Sequence, residues 1–203
     1  MKFTHSNILE TMIKAFIGFG IFSATVSSQI SEQLLVTKPN PVKIPTIEYK
    51  STWKCPECTL EEQYVLKKLQ ENTKITDRNA LATILGNIKQ ESKFVPNICE
   101  GGARVSYNEC RVGGYGLIQW TSIDRYKGLG RFCNKYACDP SSLEGQTRYM
   151  INEPTFQRYL PMFEGNGQTV QQYMVPAYYW LGWGIKGQRE YYSYNYTKKL
   201  VWA

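Results

Sequence analysis

Between Asp77 and Glu91 the apolar positions fall at Ala80, Leu81, Ile84, Leu85 and Ile88. That is the i, i+1, i+4, i+5, i+8 stripe of a helix turned towards a core. Thr76 or Asp77 is placed to cap its start. Gly86 interrupts the stripe, where a missing side chain weakens a helix but lets a neighbour pack closely. Glu91 follows Ile88 by three residues, near the end of the same face, and Pro96 is expected to stop the helix. An earlier helix is predicted from Thr59 to about Asn72, because Thr59 and Glu62 form a capping box. Helical patterns return near Ser141–Ile151, Thr169–Leu181 and Gln188–Leu200. Residues 95–121 are rich in Gly, Asn and Cys, with short β-like pieces such as Tyr115–Trp120. The order predicts an α+β fold, mostly helical, with a small irregular or β lobe.

The first 28 residues have a different pattern. Ala15–Ala24 is an unbroken apolar run of ten, preceded by Lys2 and Lys14 and followed by small residues up to Ser28. A membrane span needs about 20 residues, so residues 1–28 are expected to be a signal peptide, with Val26 and Ser28 suiting the cleavage site. Glu10 weakens the positive start, which leaves a membrane anchor or an amphipathic helix as alternatives. Residues 29–54, polar and carrying Pro39, Pro41 and Pro45, read as a linker. The folded domain is expected over residues 55–203. A chain of 203 residues is long enough for one such domain with a real core.

Six cysteines lie in three close pairs, Cys55/Cys58, Cys99/Cys110 and Cys133/Cys138. After a signal peptide, three local disulfides are the economical expectation. Cys55-Pro56-Glu57-Cys58 could also be half a zinc site or a redox pair. The single histidine, His5, lies in the segment expected to be removed, and no βαβ pattern surrounds the pair. No metal and no cofactor are therefore expected.

The net charge of +7 is spread over scattered residues, with no run of five Lys/Arg. With no nucleic-acid motif visible either, a nucleic-acid partner is not expected. A basic surface would suit an anionic bacterial wall. Aromatic residues make up 14% of the chain and concentrate after Tyr107. Rings with polar tips suit a sugar cleft, though they suit a core equally well.

Glu91 stands between the apolar flanks Ile88 and Phe94. Partial burial there would raise its pKa and keep it protonated near neutral pH, as a general acid requires. A carboxyl on a helix end, set against a loop of backbone groups, an amide and aromatics, can hold a sugar chain and protonate its glycosidic oxygen. The absence of a histidine from the domain argues against a serine nucleophile.

Glu91-Ser92-x-Phe94-x-Pro96 with Gly116-Leu117-Ile118-Gln119 resembles the lysozyme-like superfamily of goose-type lysozymes and soluble lytic transglycosylases. The phage tail lysozyme family is a nearer resemblance. It shares Leu85-Gly86-Asn87 and Gly114-Tyr115-Gly116-Leu117-Ile118-Gln119-Trp120-Thr121, with similar arginines at Arg125 and Arg189, over about residues 60–200. The resemblance implies a muramidase, a peptidoglycan hydrolase that cuts the β-1,4 bond between N-acetylmuramic acid and N-acetylglucosamine, with Glu91 as the acid. It implies that Gln119, Tyr115 and Gly116 line the substrate cleft, with Ser92 bracing the Glu91 loop rather than reacting. Hydrolysis needs a second carboxylate, roughly 5–5.5 Å away for retention or 6.5–9.5 Å for inversion. Glu109 is the first candidate, and Glu100 and Asp124 follow. Without one, a lytic transglycosylase is the alternative; a non-catalytic wall-polysaccharide-binding protein is another. The expected partner is peptidoglycan. A monomer is expected, secreted or membrane-anchored, with membrane or virion association through the N-terminus left open.

Overall fold

The computed structural model describes residues 52–111 and 113–203. The expectations for residues 1–28 and for most of the linker lie outside the described residues. Among those described, seven α-helices and one two-stranded antiparallel sheet form the α+β, mostly helical arrangement expected. Strand β1 (Trp53–Lys54) pairs with β2 (Val201–Trp202), so Trp53 meets Trp202 edge-on with ring centroids 5.2 Å apart.

Helix α1 (Leu60–Asn72) starts at the expected capping box of Thr59 and Glu62. Helix α2 (Arg78–Ser92) is capped by Asp77, whose Oδ1 accepts from the Asn79 and Ala80 amides. Every residue from Ala80 to Ile88 is buried, so α2 is the central helix rather than one with a single apolar face. Helices α1, α6 (Val170–Leu181) and α7 (Arg189–Lys199) pack around it. One polar network ties three of them together. The buried Glu62 of α1 accepts from Lys89 Nζ of α2 and from the Tyr196 hydroxyl of α7, both at 2.6 Å.

Gly86 explains the closeness of α2 and α7. A Cβ at this position would stand 2.3 Å from Ser193 Oγ and 2.5 Å from the Ser193 backbone nitrogen. Backbone cannot swing away as a side chain can, so the two helices would have to separate. Gly86→Ala is expected to destabilise the fold by about 2–3 kcal/mol. A thermal scan should show this as a midpoint lowered by roughly 5–10 °C. Gly184→Ala, which meets nothing within 4 Å, is the control.

Helix α2 ends earlier than Pro96 would require. Its last residue is Ser92, and Lys93 takes the left-handed cap conformation (φ 52°), its amide bonding to Lys89 O. Helices α4 (Leu143–Asn152), α6 and α7 lie close to the predicted ranges. Helices α3 (Ile123–Tyr136) and α5 (Pro154–Phe163) were not expected. Gly128 and Gly130 blur the stripe of α3 because the rings of Tyr149 and Tyr107 occupy the space beside them. In α5, Pro154 takes the first turn and Pro161 stands inside the helix.

The segment between α2 and α3 is the irregular lobe. Isolated bridges join Ile98 to Arg104, Cys99 to Tyr115 and Tyr115 to Trp120, and a short 3-10 helix covers Tyr107–Glu109. All three disulfides are the local ones expected, Cys55–Cys58, Cys99–Cys110 and Cys133–Cys138. The second closes the lobe on itself, and restricting a loop of this kind in the unfolded chain stabilises the folded one.

Candidate active site

The lobe folds back onto the end of α2 through one serine. Ser92 Oγ donates to Leu117 O at 2.7 Å and accepts from the Phe94 amide at 3.1 Å. Residues Tyr115 and Trp120 pair across a tight loop, Gly116–Gln119. Gly116 (φ 72°) needs glycine, since a Cβ would lie 2.4 Å from Gln146 Oε1. Gln146, fully buried on α4, accepts from the Leu117 amide at 2.7 Å and donates to Pro96 O at 2.6 Å and Pro140 O at 2.7 Å. One side chain thus clamps both segments that flank Glu91. Nothing in its sequence neighbourhood marks it.

Three residues here that are not glycine hold left-handed backbone: Lys93, Phe94 (φ 65°) and Gln119 (φ 52°). Such conformations are unfavourable for L-residues and persist only where the surroundings impose them. Phe94 is fixed by its ring, which is buried and lies edge-on to Tyr196. Gln119 is fixed by its amide, which donates to Gly116 O at 2.9 Å and Ile98 O at 3.4 Å.

Glu91 retains 15% side-chain exposure, enough to meet a substrate while mostly desolvated. Its carboxylate pairs with Arg189 Nη2 of α7. Burial pushes its pKa above the ordinary value, and the bond and charge of Arg189 and the charge of Arg125 pull it back only in part. Arg189 is itself fixed from the other side. Its Nη1 donates to Ile185 O and Lys186 O, both at 2.8 Å, and its guanidinium lies 4.7 Å over the Trp183 ring.

Arg125 is held by a carboxylate that the sequence reading missed. Glu153 sits between α4 and α5 with a fully buried side chain. It accepts from Arg125 Nη2 at 2.6 Å and Nε at 3.0 Å, from Trp120 Nε1 at 3.2 Å and from Trp180 Nε1 at 3.0 Å. The available signal was indirect: Trp120 and Trp180 are buried indoles, and each N–H requires an acceptor. A hollow of about 480 Å³ beside this pair is lined by Arg125, Arg131, Tyr149 and Glu153. A larger one, of about 880 Å³ between β1 and α1, contains none of these site residues.

The residues expected at the site are distributed as follows. Glu91 and Gln119 flank the Ser92–Leu117 junction. Ser92, Tyr115 and Gly116 are buried behind it, and the Tyr115 hydroxyl bonds to Val105 O. Glu109 is exposed. Its Oε2 accepts from the Ser106 amide and hydroxyl, bonds that hold its pKa below the ordinary value. Glu100 accepts from the Gly114 amide at 2.8 Å, and Asp124 is exposed on the first turn of α3. None of the three is bonded to Glu91 or Arg189. Among the described residues no group of three or more His, Cys, Asp or Glu could hold a metal ion.

A helical body with a disulfide-closed lobe, holding one raised carboxyl beside a glycine-rich loop, is the build of a lysozyme-like enzyme. The phage tail lysozyme family matches residues 61–178, and the chain belongs to that family. No curated protein and no solved structure matches. Arg189 and Trp183, which complete the surroundings of Glu91, lie beyond the matched residues.

Proposed function

We propose that this protein is a peptidoglycan muramidase, cutting the β-1,4 bond between N-acetylmuramic acid and N-acetylglucosamine with Glu91 as general acid. The observation that carries this is the setting of Glu91, a carboxyl partly exposed at a helix end whose burial raises its pKa, the direction a general acid requires. Glu91 gives that proton to the bridging oxygen as the bond to the anomeric carbon breaks. Arg189 then stabilises the carboxylate left behind, and Arg125 adds positive potential. Gln119 lies at the loop beside the acid, and Ser92, Tyr115 and Gly116 hold that loop in place.

Completion by water needs a base or nucleophile. Glu109 is the proposed partner, since its lowered pKa keeps it ionised. A second reading, lytic transglycosylation, is favoured by the commitment of the Glu109 carboxylate to Ser106 and of Glu100 to Gly114. In that case the 6-hydroxyl of the muramic acid attacks its own anomeric carbon. Mass spectra of products from purified walls separate the two. Reducing muramic ends are expected for hydrolysis, and anhydro ends, lighter by one water, for transglycosylation. Neither product would overturn both readings and leave a wall-binding protein.

The acid role sets a sign for pH. Glu91 is competent when protonated, so kcat/KM is full below its raised pKa and falls as pH rises through it. Arg189 holds that pKa down, so Arg189→Gln is expected to move the basic limb to higher pH. Arg189→Lys, which retains the charge, should move it less. A pH–rate profile of each variant checks this.

The three disulfides and the family suit a protein acting outside the cytosol, on a wall or carried on a particle. Among the described residues no helix is long and apolar enough to cross a membrane.

A further inference from the structure

Beside Arg189 a row of rings runs away from Glu91 across the outer face of α6 and onto α5. Trp183, under the Arg189 guanidinium, meets Tyr178 edge-on with centroids 5.3 Å apart. Tyr178 meets Tyr179 at 5.4 Å, and Tyr179 stacks on Tyr159 at 5.7 Å with an interplanar angle of 21°. Tyr178 and Tyr179 are 47% and 56% exposed, far more than rings recruited to a core. Among the described residues the hydroxyls of Tyr159, Tyr178 and Tyr179 make no hydrogen bond to the protein.

The geometry points to this row as a binding platform for the uncharged sugar rings of a glycan strand, continuous with Glu91 through Trp183 and Arg189. This rests on the proposed glycosidase reading and names where the polymer lies. Three features select a saccharide. The rings present flat apolar faces with polar tips, which match the apolar face and hydroxyl rim of a pyranose. Beyond Trp183, which lies under the Arg189 guanidinium, the three tyrosine rings are uncharged and favour no anion. Each ring is already braced by its neighbour, so little side-chain freedom is lost when a ligand arrives. The row straddles Tyr178, the last residue of the family match.

The test uses the full chain and purified peptidoglycan glycan strands, with Tyr178→Ala, Tyr179→Ala and the double variant. Both side chains are exposed, so thermal midpoints should stay near wild type. For the double variant KM is expected to rise about tenfold, the scale of two lost ring contacts, with kcat and the pH profile held. Tyr178→Phe with Tyr179→Phe should recover most of the loss. Tyr191→Ala, 61% exposed and off the row, serves as the control. An unchanged KM in the double variant overturns the platform, as does a shift from dimer to monomer on sedimentation, which would make the row a self-interface. Strand pull-down in a Glu91→Gln background separates this from the catalytic reading. Tyrosine-dependent capture without any product from wild type would retain the platform and discard the glycosidase.

Discussion

Glu91→Gln is expected to lower turnover of purified walls by about 10³-fold or more while leaving the chain folded. The amide has the size of the acid but no proton to give. Folding should survive because the surroundings of Glu91, taken together, favour its neutral form: burial outweighs the pull of Arg189 and Arg125. The sign for stability follows. A carboxyl whose folded pKa is raised contributes fully below its unfolded value, and that contribution is lost as pH rises through the folded value. Glu91→Gln should therefore match the wild type in acid and hold its thermal midpoint, or exceed it, at neutral pH. Retained turnover would remove Glu91 from the mechanism. Lost turnover with a collapsed midpoint at neutral pH would instead make Glu91 a structural partner of Arg189.

The second large effect is expected at Glu153. Glu153→Ala leaves a partly buried guanidinium and two buried indole N–H groups without their acceptor. Breaking a fully buried ion pair from one side costs about 3–5 kcal/mol, and the 21% exposure of Arg125 lowers this to about 2–4 kcal/mol. The melting midpoint should fall by roughly 5–10 °C. Glu153→Gln preserves the shape and should lose about half as much, which keeps the idea testable if the alanine variant does not fold. Turnover should fall as well, because Arg125 is no longer fixed. A Glu153→Gln protein that melts and turns over like wild type would show that the four hydrogen bonds do not hold the site together.

Much of the frame could be read from the chain because its signals are local. The Thr59/Glu62 box, the Asp77 cap and the apolar stripe from Ala80 to Ile88 each depend on neighbours within two turns. The motif Gly116-Leu117-Ile118-Gln119 could be read for the same reason, since its glycine answers to a tight loop. The unread parts depend on distance. Arg189 reaches Glu91 across 98 positions, and Glu153 meets Trp120 across 33. In sequence, Glu153 is a glutamate before a proline, which reads as the start of a helix and nothing more. Helix α3 was hidden by two glycines whose purpose lies in the rings of Tyr107 and Tyr149. The sequence also drew attention to Tyr115 as a cleft residue, whereas its ring is buried and its hydroxyl is bonded to Val105 O. A motif shows which residues belong together, and it is silent on which side of the wall each one stands.

Phe94 illustrates how activity can hinge on a residue that touches no substrate. Its backbone, three positions beyond Glu91, adopts a conformation that the chain would leave if the ring were not seated in the core. The proposed acid is thus aimed by an apolar contact. Variation in the core around Phe94 and Tyr196 would be felt as a drift in the aim of Glu91 before it was felt as unfolding, so an enzyme of this build can lose its chemistry with its fold intact.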